Sequence, residues 1–149
     1  IEWDREHACF MLDRVEPMAF AKPCNYGFIP QTLDEDGDEL DVLMITDQPL
    51  TTGIWMKAKV LGVMKFVDDD EVDDKIICVP ADDRNNGDMY NELSDLPKQT
   101  LKQIEYHFNH YKDLTEGEMS LIRSKLVRAD ALCNEAKKIG LDKVLNLIQ

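Results

Sequence analysis

This chain joins an acidic turn directly to an apolar strand at Leu33-Asp34-Glu35-Asp36-Gly37-Asp38-Glu39-Leu40-Asp41-Val42-Leu43-Met44-Ile45-Thr46. Asp36 and Asp38 are two positions apart, so their side chains point the same way in an extended turn. Asp41 stands at the start of the strand, where the apolar run that follows can hold it rigidly. Three carboxylates this close repel one another strongly at a partly buried effective dielectric constant of about 20. We therefore expect a hard divalent cation with oxygen ligands to bind here.

Two other interpretations of the acidic turn remain open from the residues alone. Asp34, Asp36 and Asp38 match the first three acidic positions of a calcium-binding EF-hand loop. Glu39, however, stands where that loop needs glycine, and Ile45 where it needs a bidentate glutamate. The second interpretation is a solvated acidic hairpin turn that binds nothing.

Three segments of the chain resemble the soluble family I inorganic pyrophosphatases of bacteria. Residues 36–42 (Asp-Gly-Asp-Glu-Leu-Asp-Val) resemble the family signature, residues 23–29 (Pro-Cys-Asn-Tyr-Gly-Phe-Ile) the segment before it, and residues 107–114 (His-Phe-Asn-His-Tyr-Lys-Asp-Leu) the end of a helix. The segments occur in the family's order and at compatible spacings, over approximately residues 2–117. The resemblance implies hydrolysis of pyrophosphate to two orthophosphates by a water that several Mg²⁺ ions activate.

The resemblance also implies roles for individual side chains. Asp38 is the expected general base, which accepts the proton of the attacking water. The expected Mg²⁺ ligands are Asp36, Asp41, Asp68 and Asp73, with Asp41 bridging two ions. The expected ligands of the substrate's phosphoryl groups are Arg14, Tyr26, Lys75, Tyr111 and Lys112.

Without the resemblance, several of these residues have a structural interpretation as well. Arg14 lies at the end of a predicted strand at residues 8–15 and is equally well a surface arginine. Tyr26 can also be a core aromatic. The pattern alone favours Tyr111 as the last core contact of a helical apolar stripe with Leu101, Ile104 and Phe108. The acidic run at residues 68–74 is typical of a solvated hairpin loop, in which Asp69, Asp70, Glu71 and Asp74 are bystanders.

The order of the patterns predicts an α+β domain, with short strands first and helices late. A long strand at residues 54–66 is expected to bend or bulge at Gly62. Asp95 is expected to cap a helix from Leu96, with Pro97 in its first turn. A terminal amphipathic helix is predicted from Ala136, Ile139, Val144 and Leu147. The resemblance implies a small five-stranded OB-like β-barrel with flanking α-helices, assembled as a homohexamer.

Composition limits the classes of partner. The 149 residues predict a single domain, residues 1–149, with a proper core, and the chain begins at Ile1 in a strand that we expect to continue upstream. A net charge of −13 disfavours nucleic acid and membrane surfaces. Cys9, Cys24, Cys78 and Cys133 are widely spaced and are predicted to be buried free thiols of a cytoplasmic protein, although two disulfides remain possible.

Two positions depart from the family pattern. A lysine expected two positions before Glu2 is not contained in the chain, and Glu118 stands where a basic residue is expected. His107 and His110 are predicted to be surface residues, since no third metal ligand accompanies them.

Three functions remain possible from the sequence: a magnesium-dependent pyrophosphatase, a degenerate or truncated homologue that binds divalent cations with little turnover, and a plain cation-binding module.

Overall fold

Ten strands and one α-helix form the regular structure of the described residues. The structure is a computed structural model, and it describes residues 1–15, 21–68, 70–86, 89–110, 125–128 and 145–148. The strands are β1 (Glu2–Asp4), β2 (Cys9–Met11), β3 (Asn25–Phe28), β4 (Asp41–Met44), β5 (Trp55–Lys65), β6 (Val67–Asp68), β7 (Glu71–Val72), β8 (Lys75–Pro80), β9 (Lys125–Arg128) and β10 (Leu145–Ile148). The helix α1 spans Lys98–His110. The predicted α+β class is confirmed.

A six-stranded sheet in the order β10-β3-β4-β8-β5-β9 forms the body of the molecule. β4 and β8 run parallel, whereas the other pairs are antiparallel. Because β10 pairs with β5 as well as with β3, the pairings form a circuit through five strands. This arrangement agrees with the predicted five-stranded OB-like fold.

The long strand β5 changes its register in the middle. Its pairing with β8 shifts between Val60 and Gly62, which confirms the bulge predicted at Gly62. A bulge bends a strand and increases its twist. Because of this bend, one strand pairs with β10 through its first half and with β9 through its second half.

Alternating side chains of β4 enter two apolar clusters. Leu43 is buried with Leu61 and Ile77 in the larger cluster, which α1 covers with Ile104 and Phe108. Val42 and Met44 point to the other face, with Ile29, Ala58 and Cys78. Because both faces of β4 are buried, the strand is a continuous apolar run, and Asp41 at its start is rigidly placed.

The helix begins two residues later than predicted. Leu96 has extended backbone angles (φ −67°, ψ 145°), because the proline that follows disfavours the helical region. Asp95 ends a 3-10 turn at Leu93–Asp95, and its carboxylate accepts the backbone N–H of Asn91 and of Glu92. Asp95 therefore caps this turn and not α1, which starts at Lys98.

Buried residues of α1 confirm the predicted stripe but correct one histidine. Ile104 and Phe108 are buried, and Phe108 packs edge-on against Phe66 with ring centroids 5.5 Å apart. His107, predicted at the surface, is buried as well, because it lies on the same side of the helix and its ring contacts that of Phe108. Tyr111 lies outside the described residues.

The two ends of the chain also correct the predictions. The strand expected at residues 8–15 is only β2, which forms a hairpin with β1 outside the main sheet, and this leaves Cys9 exposed. Residues 145–148, predicted as part of a terminal helix, form β10, because they pair along β5. The rest of that predicted helix lies outside the described residues. None of the helices in the described ranges has the length and hydropathy to span a membrane.

Candidate active site

The acidic turn is held by its own hydrogen bonds. Gly37 has φ +92°, a conformation that favours glycine, and its N–H donates to the carbonyl of Asp34 at 3.1 Å. Asp34 in turn donates its N–H to the carbonyl of Asp38 at 2.7 Å. The N–H of Asp38 donates to Asp36 Oδ1 at 2.9 Å. The turn therefore presents the carboxylates of Asp36 and Asp38 at the exposed end of β4.

A buried ammonium group links the start of β4 to the start of β8. The parallel register places Lys75 beside Asp41, and Lys75 Nζ donates to Asp41 Oδ2 at 2.5 Å and also to Asp73 Oδ1. Tyr26, from β3, donates its hydroxyl to the same Asp41 oxygen. Lys75 is only 2% exposed, so its charge is stabilised by these two carboxylates rather than by water.

The hairpin between β5 and β8 is anchored by Asp74. Its carboxylate accepts the N–H of Phe66 at 3.2 Å and pairs with Lys65. The N–H of Asp73 donates to the carbonyl of Phe66 at 3.0 Å. Asp74, predicted as a bystander, thus holds the hairpin that carries Asp68 and Asp73.

The acidic turn and this hairpin meet at Lys75, which bonds to Asp41 directly after the turn and to Asp73 of the hairpin. Burial raises the pKa of Asp73, Lys75 lowers it, and the charges of Asp41 and Asp36 raise it again. Burial likewise raises the pKa of Asp34, and Asp36 and Asp74 contribute in the same direction, against the N–H of Glu35 and the charge of Lys75. Carboxylates from two separate connections are therefore gathered at one end of the sheet.

The structure brings only some of the predicted site residues into contact. Tyr26, Asp41, Asp73 and Lys75 form one hydrogen-bonded cluster, which we call the Lys75 cluster. The charge of Asp36 raises the pKa of Asp73 in this cluster, and the half-buried Asp68 lies on the adjoining hairpin.

The other predicted site residues are not part of this cluster in the described residues. Arg14 is exposed three residues beyond the end of β2, and its guanidinium pairs with Asp13. Tyr111 and Lys112 lie outside the described residues.

The cluster has the donor chemistry of a site for hard cations. Among the described residues, no three His, Cys, Asp or Glu side chains are placed to hold a metal ion together, since Lys75 lies between Asp41 and Asp73. The two carboxylates of the cluster, those of Asp41 and Asp73, nevertheless outnumber its one ammonium. Asp34 Oδ2 is buried without a hydrogen-bond donor from the described residues. Oxygen-only donors of this kind suit Mg²⁺, Mn²⁺ or Ca²⁺.

The EF-hand interpretation does not fit this geometry. Ile45, at the position of the required bidentate glutamate, packs against the larger apolar cluster. Glu39, at the position of the required glycine, pairs with Arg5. The turn therefore leads into a buried strand and not into a second helix, as an EF-hand would need.

Sequence reasoning missed two cations near the site. Arg5, in the turn of the β1–β2 hairpin, donates to Asp38 Oδ1 at 2.9 Å and also pairs with Glu39. Lys22 lies on the ring of Tyr26, with its Nζ 3.7 Å from the ring centroid. Neither residue belongs to a short motif, so only the folded chain shows where its charge lies.

Replacing Asp34 with asparagine tests the charge balance of the site. The raised pKa of Asp34 means that its ionised form costs more in the folded state than in the unfolded chain. In metal-free protein, Asp34→Asn is therefore expected to raise the midpoint of thermal unfolding at pH 7. The gain should shrink as the pH falls through the raised pKa and vanish below the ordinary value of 3.8, where the carboxyl is protonated in both states.

The matched control for this prediction is Glu35→Gln, which removes one charge from an exposed neighbour in the same turn. Thermal unfolding of both variants and of the wild type, followed by circular dichroism between pH 7 and pH 4 in a chelator, measures the difference. Equal gains in the two variants, or a gain for Asp34→Asn that does not depend on pH, would contradict the prediction.

Comparisons with known proteins agree with the fold. The family model described as inorganic pyrophosphatase matches residues 1–139. The chain is 67% identical over 139 residues to the inorganic pyrophosphatase of Neisseria meningitidis serogroup B, covering 93% of this chain and 76% of that protein. The crystal structure of an inorganic pyrophosphatase from Neisseria gonorrhoeae superposes with a TM-score of 0.85 at 62% identity, over 92% of this chain and 79% of the other. The corresponding structure from Coxiella burnetii gives a TM-score of 0.82 at 34% identity, over 92% and 82%.

Proposed function

Because this chain belongs to the inorganic pyrophosphatase family, we propose that it is an inorganic diphosphatase that hydrolyses pyrophosphate to two orthophosphates with Mg²⁺ as its cofactor. The observation that carries the proposal is the Lys75 cluster. It places a buried ammonium between two carboxylates, at the end of the sheet where the acidic turn and the hairpin meet. Cationic and anionic groups side by side suit a site that must hold both metal ions and phosphate.

The four predicted metal ligands come from the two connections that meet at this end of the sheet. Asp36 and Asp41 belong to the acidic turn and β4, while Asp68 and Asp73 belong to the hairpin before β8. When bound, Mg²⁺ ions neutralise phosphate charge and lower the pKa of a bound water. Burial, with a further contribution from the charges of Asp41 and Asp36, raises the pKa of the partly buried Asp73 carboxyl. This supports their role, since a further cation would stabilise the ionised carboxylates.

The proton of the attacking water is proposed to go to Asp38. Its carboxylate is 70% exposed and is held by Arg5, so its position is restrained while it remains accessible to water. A positioned carboxylate that accepts a proton in the transition state contributes roughly 100-fold to 10,000-fold to the rate.

Lys75 is proposed to bind the phosphoryl group that carries the developing charge. Its ammonium has three N–H donors, and Asp41 and Asp73 take two of them. The third can donate to a phosphoryl oxygen from a fixed position, which is how a preorganised cation stabilises a transition state. Arg14, Tyr26, Tyr111 and Lys112 are proposed as the remaining phosphate ligands, with the resemblance as their support.

The remaining features of the proposal rest on the family resemblance. We propose that residues 1–149 form one domain, that the chain assembles as a homohexamer, and that it works in the cytoplasm. Cys9, Cys24 and Cys78 carry no disulfide in the described part of the chain, which fits a reducing compartment. Light scattering coupled to gel filtration measures the assembly directly.

A phosphate-release assay tests the proposed function. The wild-type protein is expected to release orthophosphate from pyrophosphate when Mg²⁺ is present and to stop when a chelator is added. Magnesium binding in a calorimeter without phosphate release would instead support the degenerate homologue, for which Glu118 in place of a basic residue is the argument. Preference for Ca²⁺ over Mg²⁺ without any response to pyrophosphate would support the plain cation-binding module.

A further inference from the structure

Two ammonium groups flank the ring of Tyr26. Lys22 Nζ lies 3.7 Å from the ring centroid and Lys75 Nζ lies 5.7 Å from it, both within the range of cation–π attraction. Lys75 is buried and bonded to Asp41 and Asp73, whereas Lys22 is exposed. Of the two cations beside the ring, Lys22 is therefore the more accessible to a ligand from solvent.

The charge of Lys22 also reaches the interior beside the site. Burial raises the pKa of the Cys24 thiol to about 12, and the charge of Lys22 acts on the same group in the opposite direction. Cys24 packs against the larger apolar cluster together with Tyr26. The ammonium of Lys22 therefore lies near Cys24 as well as over the ring of Tyr26.

The hydroxyl of Tyr26 is committed to a different partner. A tyrosine has one O–H donor, and Tyr26 donates it to Asp41. Tyr26 can therefore act as the phosphate ligand proposed above only when its bond to Asp41 opens. Lys22 has three N–H donors on a flexible stem, and the ring beneath it limits where the ammonium can go. Beside Tyr26, Lys22 is therefore a further cation that can donate to phosphate, in addition to Lys75.

We propose that Lys22 is a further substrate-binding residue, which donates to a phosphoryl oxygen of pyrophosphate at the mouth of the site while the ring of Tyr26 supports its ammonium. This proposal rests on the proposed function. Pyrophosphate is a multiply charged anion, and the chain has a net charge of −13. The positive charge of Lys22 is therefore expected to strengthen substrate binding more than it changes the rate of the chemical step.

Lys22→Met is the variant that separates charge from packing, because methionine keeps an unbranched apolar side chain on the ring and removes the ammonium. The KM for pyrophosphate with Mg²⁺ is expected to rise roughly two- to fivefold, which is the size of one exposed charged contact, while kcat stays within about twofold. Lys22→Arg is expected to retain most of the wild-type KM. The effect of Lys22→Met should also diminish at high salt.

The matched control is Lys57→Met, an exposed lysine of the same sheet. Lys57 lies seven residues before Met64, the residue of β5 that pairs with Lys75, which is roughly 23 Å along the strand. Its replacement changes the net charge equally and is expected to leave KM unchanged. Equal KM values for Lys22→Met and Lys57→Met would overturn the proposal.

Calorimetric binding of methylenediphosphonate, a diphosphonate that cannot be hydrolysed, distinguishes this proposal from the proposed function. In the presence of Mg²⁺, Lys22→Met is expected to bind it roughly two- to fivefold more weakly than Lys57→Met does. If the wild type binds the diphosphonate but releases no phosphate from pyrophosphate, the proposed function fails, and this comparison still decides the role of Lys22. Equal affinities of the two variants overturn the role of Lys22 alone, and a wild type that binds no diphosphonate overturns both.

Discussion

The variant Asp38→Asn is expected to release phosphate roughly 100-fold to 10,000-fold more slowly than the wild type, because an amide cannot accept the proton of the attacking water. The shape of the side chain is preserved, so the acidic turn should keep its hydrogen bonds. Binding of Mg²⁺ should be largely retained, since the four proposed metal ligands are unchanged. Steady-state phosphate release and calorimetry with Mg²⁺ measure the two properties separately.

Glu39→Gln is the control for Asp38→Asn. Both carboxylates belong to the acidic turn and pair with Arg5, so each substitution removes one negative charge and weakens the same guanidinium contact. Glu39 has no proposed role in the reaction, and its replacement is expected to change the rate by less than about fivefold. If the two variants lose activity equally, the charge of the turn matters and Asp38 is not the base.

The second large effect is expected for Lys75→Met. This substitution removes the ammonium that lies between Asp41 and Asp73 and leaves two partly buried carboxylates facing each other. Breaking a buried pair from one side typically costs about 3–5 kcal/mol, and we expect the lower end, because both carboxylates keep some contact with water. Phosphate release should fall by at least about 100-fold, because a preorganised phosphate ligand is lost.

The loss of stability in Lys75→Met should depend on pH and on metal. Burial raises the pKa of Asp73 and Lys75 opposes this, so without Lys75 the pKa rises further and the carboxyl takes up a proton more readily. The destabilisation is therefore expected to be full at neutral pH and to shrink as the pH falls through that raised pKa. Mg²⁺ should stabilise the variant more than it stabilises the wild type, because it replaces the missing positive charge. Urea unfolding in chelator and in Mg²⁺ at two pH values measures both effects.

Lys65→Met is the matched control, since it removes an ammonium from the ion pair with Asp74 on the same hairpin. Lys65 is about half exposed, with 53% of its side chain accessible, so the pair should contribute less than about 1 kcal/mol. If Lys75→Met loses no more stability than Lys65→Met, the buried ammonium does not compensate the carboxylates in the way the cluster suggests.

Local patterns were sufficient for the strands and for part of the site. The bulge of β5 was predicted because Gly62 interrupts a long alternating run, and both properties are encoded within a few neighbouring residues. The helix start was missed by two residues, because the effect of Pro97 on Leu96 outweighed the capping signal of Asp95. The prediction for His107 was wrong because its burial depends on which residues pack against the helix. The spacing of apolar residues along α1 does not show that a polar residue such as His107 is also covered.

Residues 145–148 show the same limit at the end of the chain. Their apolar pattern is compatible with a helix, and four residues are too few to separate the two periodicities. Pairing with β5 made them a strand, because hydrogen bonds to a neighbouring strand outweigh local propensity.

By itself, the sequence determined the acidic turn, the apolar strand that holds Asp41, the bulged strand and the family resemblance, since each depends on residues close together in the chain. Only the tertiary structure decided that Lys75 is buried between Asp41 and Asp73, that Arg5 pairs with Asp38, and that Lys22 lies on Tyr26. The physical reason is that Lys75 and Asp41, and likewise Arg5 and Asp38, are far apart in sequence. The position of Lys22 over the ring depends on the backbone conformation of its loop. The positions of these side chains depend on the register of the parallel strands and on how the connections fold over the end of the sheet. A pattern of neighbouring residues predicts neither.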